Sequence, residues 1–86
     1  QGVTCERIVD FEDFEVQRLR LAPGASHRLS PLQSYRLMIG VEGFCPIESL
    51  LIGPEEAAIL PAGSTPVLRS QHPAESLLLL LAIPRR

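Results

Sequence analysis

The side chains of this 86-residue chain with most chemistry to offer are two cysteines, two histidines and eight arginines; there is no lysine. A transition-metal centre needs three or four converging N, S or O donors. His27 and His72 fall in separate predicted loops, and together with Cys5 and Cys45 they match no zinc-ribbon or zinc-finger spacing. Both histidines therefore read as solvated loop residues. The paired acids Glu12/Asp13 and Glu55/Glu56 sit in turn-like segments, where neighbouring carboxylates stay solvated instead of acting as general acid and base. Ser26, Ser30, Ser34 and Ser64 have no identifiable base partner, and no nucleophile-elbow, zinc-protease, Walker or dinucleotide-binding glycine motif occurs. Two readings stand for Arg18, Arg20, Arg28, Arg36 and Arg69. Either they gather as an anion site, or they lie on polar strand faces and pair across strands with Glu15 or Glu42.

The elements that must position these side chains are short. Pro23-Gly24, Ser30-Pro31, Gly43 to Pro46, Gly53-Pro54, Pro61-Ala62-Gly63, Pro66, Pro73 and Pro84 cut the chain into pieces too brief for ordinary helices. Such spacing predicts an all-β sandwich or barrel of about seven to eight short antiparallel strands. The clearest runs from Tyr35 to Glu42: Tyr35, Leu37, Ile39 and Val41 share one face, while Arg36, Met38, Gly40 and Glu42 form a mainly polar one. Phe14 to Leu21 is extended too. Its apolar residues change parity between Val16 and Leu19, which predicts a bulge near Gln17-Arg18. Ile47 to Ile52, Glu56 to Leu60 and Val67 to Ser70 are further strand candidates.

The segment from Ser76 to Ile83 holds five consecutive leucines, Leu77 to Leu81, and is apolar on both faces. As a strand it is either central in a two-layer sandwich or covered outside by another domain or subunit. A short buried helix is the other reading, against which the Pro73 and Pro84 brackets argue.

Composition narrows the classes. With net charge −2 and 5% aromatics, the chain has neither the clustered positive charge nor the stacking platform of a nucleic-acid binder. Its 45% hydrophobic content excludes disorder. The longest apolar run, Leu77 to Ile83, falls far short of the roughly 20 residues of a membrane helix. One cysteine pair is too few for a disulfide-stapled secreted miniprotein, and QGVTCERIVD lacks the apolar stretch of a signal peptide, so a reduced, cytoplasmic setting is expected. An opening Gln1 in place of Met is expected of a chain that was processed or excised from something longer, or whose N-terminus is unseen.

Two stretches resemble the cupin signature. Gly53-Pro-Glu-Glu-Ala-Ala-Ile-Leu-Pro61-Ala-Gly63 is a turn, a strand and a corner, in which Pro fixes φ and Gly permits positive φ. The residues that follow, Ser64-Thr65-Pro66-Val67, lack the metal-binding histidine of that signature. In the signature's first half, Ser30-Pro31-Leu32-Gln33-Ser34 again has no histidine, and Arg36 stands at the glutamate position. This looks like a cupin barrel without a metal site.

Taken in order, the pieces Cys5-Glu6-Arg7-Ile8-Val9-Asp10, Phe14 to Leu21, Ile39-Gly40-Val41-Glu42-Gly43, Leu60-Pro61-Ala62-Gly63 and Leu77 to Ala82 resemble the C-terminal domain of type I mannose-6-phosphate isomerases. The resemblance implies that residues 1–86 form a single cupin-like domain, the C-terminal part of a longer enzyme of carbohydrate metabolism that interconverts mannose 6-phosphate and fructose 6-phosphate. That family's zinc ligands and catalytic arginine lie upstream. No catalytic, cofactor-binding or metal-binding residue is therefore assigned here, and zinc belongs to the parent's catalytic domain. The implied partners are that catalytic domain or a second copy, met through the apolar 76–83 strand, with no nucleic acid and no membrane. The alternative is a free-standing, metal-free cupin that binds a sugar or sugar phosphate through Arg36 or Arg69.

Overall fold

A computed structural model describes residues 2–85, which contain nine strands and no helix. In chain order these are β1 (Val3–Asp10), β2 (Phe14–Leu21), β3 (Ser26–Arg28), β4 (Arg36–Glu42), β5 (Cys45–Ile47), β6 (Leu50–Ile52), β7 (Ala57–Leu60), β8 (Val67–Arg69) and β9 (Leu77–Pro84). One layer is a five-stranded antiparallel sheet, ordered β1-β2-β9-β4-β7. The other consists of two hydrogen-bonded pairs, β3-β8 and β5-β6, with β5 lying beside β8.

The core lies between the layers. Leu19, Leu21, Met38, Leu77, Leu79 and Leu81 enter it from the large sheet, and Leu29, Cys45, Ile47, Ile52 and Leu68 from the opposing side. The leucine-rich segment is a strand, and a central one, with β2 on one side and β4 on the other. Its inward residues Leu77, Leu79 and Leu81 are fully buried, while Leu80 and Ala82 on the outer side are half-buried. Leucine tolerates the extended backbone here because apolar burial outweighs its weak strand preference.

Strand number and phase differ from the sequence expectation in four places. Val3–Asp10 and Ser26–Arg28 add strands, the first an edge strand rich in charge and the second too short to show a period. Ile47 to Ile52 is a hairpin, β5 and β6, turned at Glu48-Ser49 with Glu48 at φ 52°. No bulge interrupts β2, which pairs with β9 in unbroken register from Phe14↔Pro84 to Leu21↔Leu77. Leu19 and Leu21 thus face inward, whereas Phe14 and Val16 face outward; the irregularities lie instead in β1 and β4. Finally, β4 has the opposite phase. Arg36, Met38 and Gly40 face the core, and Tyr35 and Val41 are exposed.

Gly40 explains why that phase is fixed. A Cβ built on it would lie 2.1 Å from the carbonyl oxygen of Gly53. The two backbones touch, Gly40 N–H donates to the Glu56 carbonyl (2.8 Å) and Glu55 N–H donates to the Gly40 carbonyl (3.0 Å). Only a residue without a side chain fits between β4 and the turn leading into β7.

Candidate functional site

Among the described residues, Arg36 is the one charged side chain in the interior, 5% exposed on the buried face of β4. Its Nη2 donates to the Ser30 carbonyl at 2.7 Å and to the Ser64 carbonyl at 3.3 Å. Those carbonyls belong to the two segments in which the cupin signature places histidines. The guanidinium thus bonds to the segments that ligands would occupy. Desolvation pushes its pKa down from the ordinary guanidinium value, yet arginine keeps its charge at pH 7. A fixed positive charge bonded to these two segments repels a cation, so the residues present do not fit a metal. Among the described residues no three His, Cys, Asp or Glu side chains converge on a possible ion site.

The other sequence candidates are dispersed. Arg18 pairs with Glu6 at 3.0 Å, exposed Arg20 lies two residues along on the same outer face of β2, Arg28 donates to the Thr65 carbonyl, and Arg69 is exposed between buried Leu68 and Ser70. The five arginines therefore do not gather. Glu15 is paired, but with Arg85, which also meets Asp10 and the Phe11 carbonyl and ties the end of β9 to the β1–β2 turn. Gln17 donates to Glu15 at 2.9 Å, and this bond, followed by the one from Arg85, holds the Glu15 carboxyl below its usual range. His27 lies in β3 opposite Leu68 instead of in a loop, and His72 accepts a bond from Ala74 N–H through Nδ1. Burial raises the pKa of both free thiols, exposed Cys5 and buried Cys45, which is the opposite of an activated nucleophile.

The large apolar surface is the outer face of the five-stranded sheet. Register aligns Val9, Val16, Ala82, Leu37 and Ile59 in one row that crosses every strand. Beside it, Leu80 and Ile39 continue the patch until Arg18 and Glu6 end it with an ion pair. At the other side Phe14, Tyr35, Leu37, Ala82 and Pro84 wall a hollow of about 250 Å³. Ile59 is 66% exposed and Tyr35 51%. Val9, Val16, Leu37 and Ala82 of the row are half-buried. Sequence periodicity on β4 grouped Tyr35, Leu37 and Ile39 of this patch, together with Val41, as an apolar face opposite a mainly polar one.

The chain resembles solved structures closely in shape and distantly in sequence. A cupin-2 domain of an XRE-family transcriptional regulator from Enterobacter cloacae superposes with TM-score 0.80 at 14% identity, covering 96% of each chain. The fold is a cupin fold. A cupin-2 domain protein of Rhodospirillum rubrum gives TM-score 0.82 at 16% identity, over 100% of this chain and 62% of that one. The protein TT1209 of Thermus thermophilus gives 0.78 at 23% identity, over 99% and 86% respectively. No protein-family model and no curated protein matches the sequence. The cupin fold expected from the Gly53–Gly63 corner is therefore present, with Arg36 buried at the start of β4.

Proposed function

We propose that this cupin domain acts by docking rather than by catalysis, presenting the outer face of its five-stranded sheet to a companion domain of the same polypeptide. The observation that carries the reading is the apolar row from Val9 to Ile59, continuous across all five strands and flanked by exposed Tyr35 and Phe14. Exposed contiguous apolar surface on a β-sheet marks an interaction site. The interior supports the same reading, because a buried guanidinium bonded to two backbone carbonyls leaves the usual cupin centre without ligands. Arg36 is committed to those carbonyls on the core face of β4, which leaves exposed Arg69 as the arginine of the sugar-phosphate alternative.

The ordered sequence resemblance supplies the finer proposal. The companion is the catalytic domain of a cytoplasmic, zinc-dependent mannose-6-phosphate isomerase, and this domain stabilises it without touching substrate. The experiment isolates the native polypeptide with an antibody to this domain, weighs it, and assays mannose 6-phosphate isomerisation with and without Tyr35→Glu. The expected result is a chain several times heavier than 9.4 kDa with isomerase activity, whose thermal stability falls in the variant while KM holds. An active chain indifferent to Tyr35→Glu would refute docking through this face, and a native 9.4 kDa product without activity would refute the isomerase assignment.

A further inference from the structure

Strand β7 is an edge of the large sheet, hydrogen-bonded on one side only, to β4. The phase of that ladder is set by Gly40 N–H, which donates to the Glu56 carbonyl. Antiparallel bonding alternates, so the pairs Met38↔Ala58 and Arg36↔Leu60 exchange hydrogen bonds while Ile39↔Ala57 and Leu37↔Ile59 do not. The N–H and C=O groups of Ala57 and Ile59 therefore point away from the sheet. Among the described residues no other backbone or side-chain group bonds to them.

Along this free edge runs a groove of about 440 Å³. Core residues Ile47 and Leu60 form its floor, and Leu50 and Pro66 stand in its walls. Among the described residues Glu48 is the only charged one lining it. It is exposed, has no ion pair among the described residues, and is held at φ 52°, a conformation that a non-glycine residue adopts at a cost. The hairpin β5–β6 thus projects a carboxylate with no ion pair among the described residues beside free ladder groups and an apolar trough.

We propose that the β7 edge binds an extended peptide as an added strand, with alternate apolar side chains entering the groove and a basic residue meeting Glu48. The four residues of β7 offer an edge of about 13 Å at the usual rise per strand residue, which suits a short segment. Strand addition takes its affinity from main-chain hydrogen bonds and its selectivity from pockets for alternate side chains, and both parts are present here. The proposal is argued from a different observation than the docking face: it uses the unbonded backbone groups of β7, whereas docking uses the sheet's outer side chains, and the two surfaces meet at Ile59.

The test titrates the isotopically labelled chain with the blocked pentapeptide acetyl-Arg-Thr-Val-Thr-Val-amide, whose Arg shares the face of its two Val side chains, and follows amide shifts. Saturable shifts are expected at Ala57 to Leu60 and Glu48. N-methylation of the peptide amides that face β7 should abolish them, and Glu48→Gln should weaken binding by about threefold and reduce its salt dependence. Ile59→Pro deletes a donor that β4 does not use, so the fold is expected to persist and binding to disappear. No saturation by about 5 mM peptide, or equal binding of the N-methylated peptide, would overturn the proposal. So would shifts at β7 that depend on protein concentration without peptide, which would assign the edge to a second copy. The N-methylated peptide keeps the test valid if the proline variant does not fold.

Discussion

Truncating two neighbouring leucines of β9 separates the two faces of the large sheet. Leu79 is fully buried and its register partners are Leu19 on one side and Gly40 on the other. Leu79→Ala removes about three methylene equivalents, worth about 2.4 kcal/mol in transfer free energy. Gly40 has no side chain to relax into the space, so a cavity term adds to this and the total comes to about 3–4 kcal/mol. Leu80 faces outward and is half-buried between Arg18 and Ile39. Its truncation loses about half the transfer term and opens no cavity, a cost of about 1 kcal/mol. An 86-residue domain has about 4–13 kcal/mol of stability in total, so the first change removes a large share and the second a small one. Urea unfolding followed by far-ultraviolet circular dichroism reads the difference. With a slope near 1 kcal/mol/M, the midpoint should fall by about 3 M for Leu79→Ala and about 1 M for Leu80→Ala. Equal costs would refute the assignment of faces, and with it the exposed docking surface.

Three further outcomes follow from other sites. Glu15 has a folded pKa below the ordinary 4.5, so its contribution is complete above that value and lost as pH falls through the lower folded one. Glu15→Gln should flatten the acid limb of a stability–pH curve by less than about 1 kcal/mol, read by thermal melting across that range. Glu55 sits at φ 66°, and Glu55→Gly should raise stability by about 0.5–1 kcal/mol, or a few degrees in Tm, by relieving a left-handed conformation. Arg36→Met keeps the volume and removes a buried charge, so it should stay within about 1 kcal/mol of the parent, whereas Arg36→Ala should cost about 2–3 kcal/mol in urea unfolding.

Turn chemistry made much of the fold legible. Strand β2 has the predicted limits, β4 and β9 differ by one residue at an end or both, and the Gly53–Gly63 corner identified the cupin pattern. Face assignment failed where one polar residue is buried with its own partners. Arg36 on a strand reads as solvent-facing because nothing in the local sequence reveals that the Ser30 and Ser64 carbonyls lie within reach. The same tertiary fact reverses the reading of Tyr35, Leu37 and Ile39, which form the outer patch. Strand β1 escaped notice because an edge strand buries little, so its charged residues break the alternation that marks a half-buried strand. The β7 edge was invisible for a different reason: which amides remain unbonded depends on register, and composition carries no register.

The position of β9 has a consequence during synthesis. The last of the nine strands to be made lies between β2 and β4, whose residues are separated from it by much of the chain. A ribosome that has not yet released the segment after Pro73 holds a chain in which Leu19, Leu21 and Met38 have lost the strand that lies between them and buries them. The domain therefore cannot assemble gradually behind the exit tunnel; closure waits for β9 and then engages both of its neighbours together. Until that moment its apolar halves need shelter from other chains, and a premature stop near residue 75 should yield an aggregating product instead of a smaller folded one.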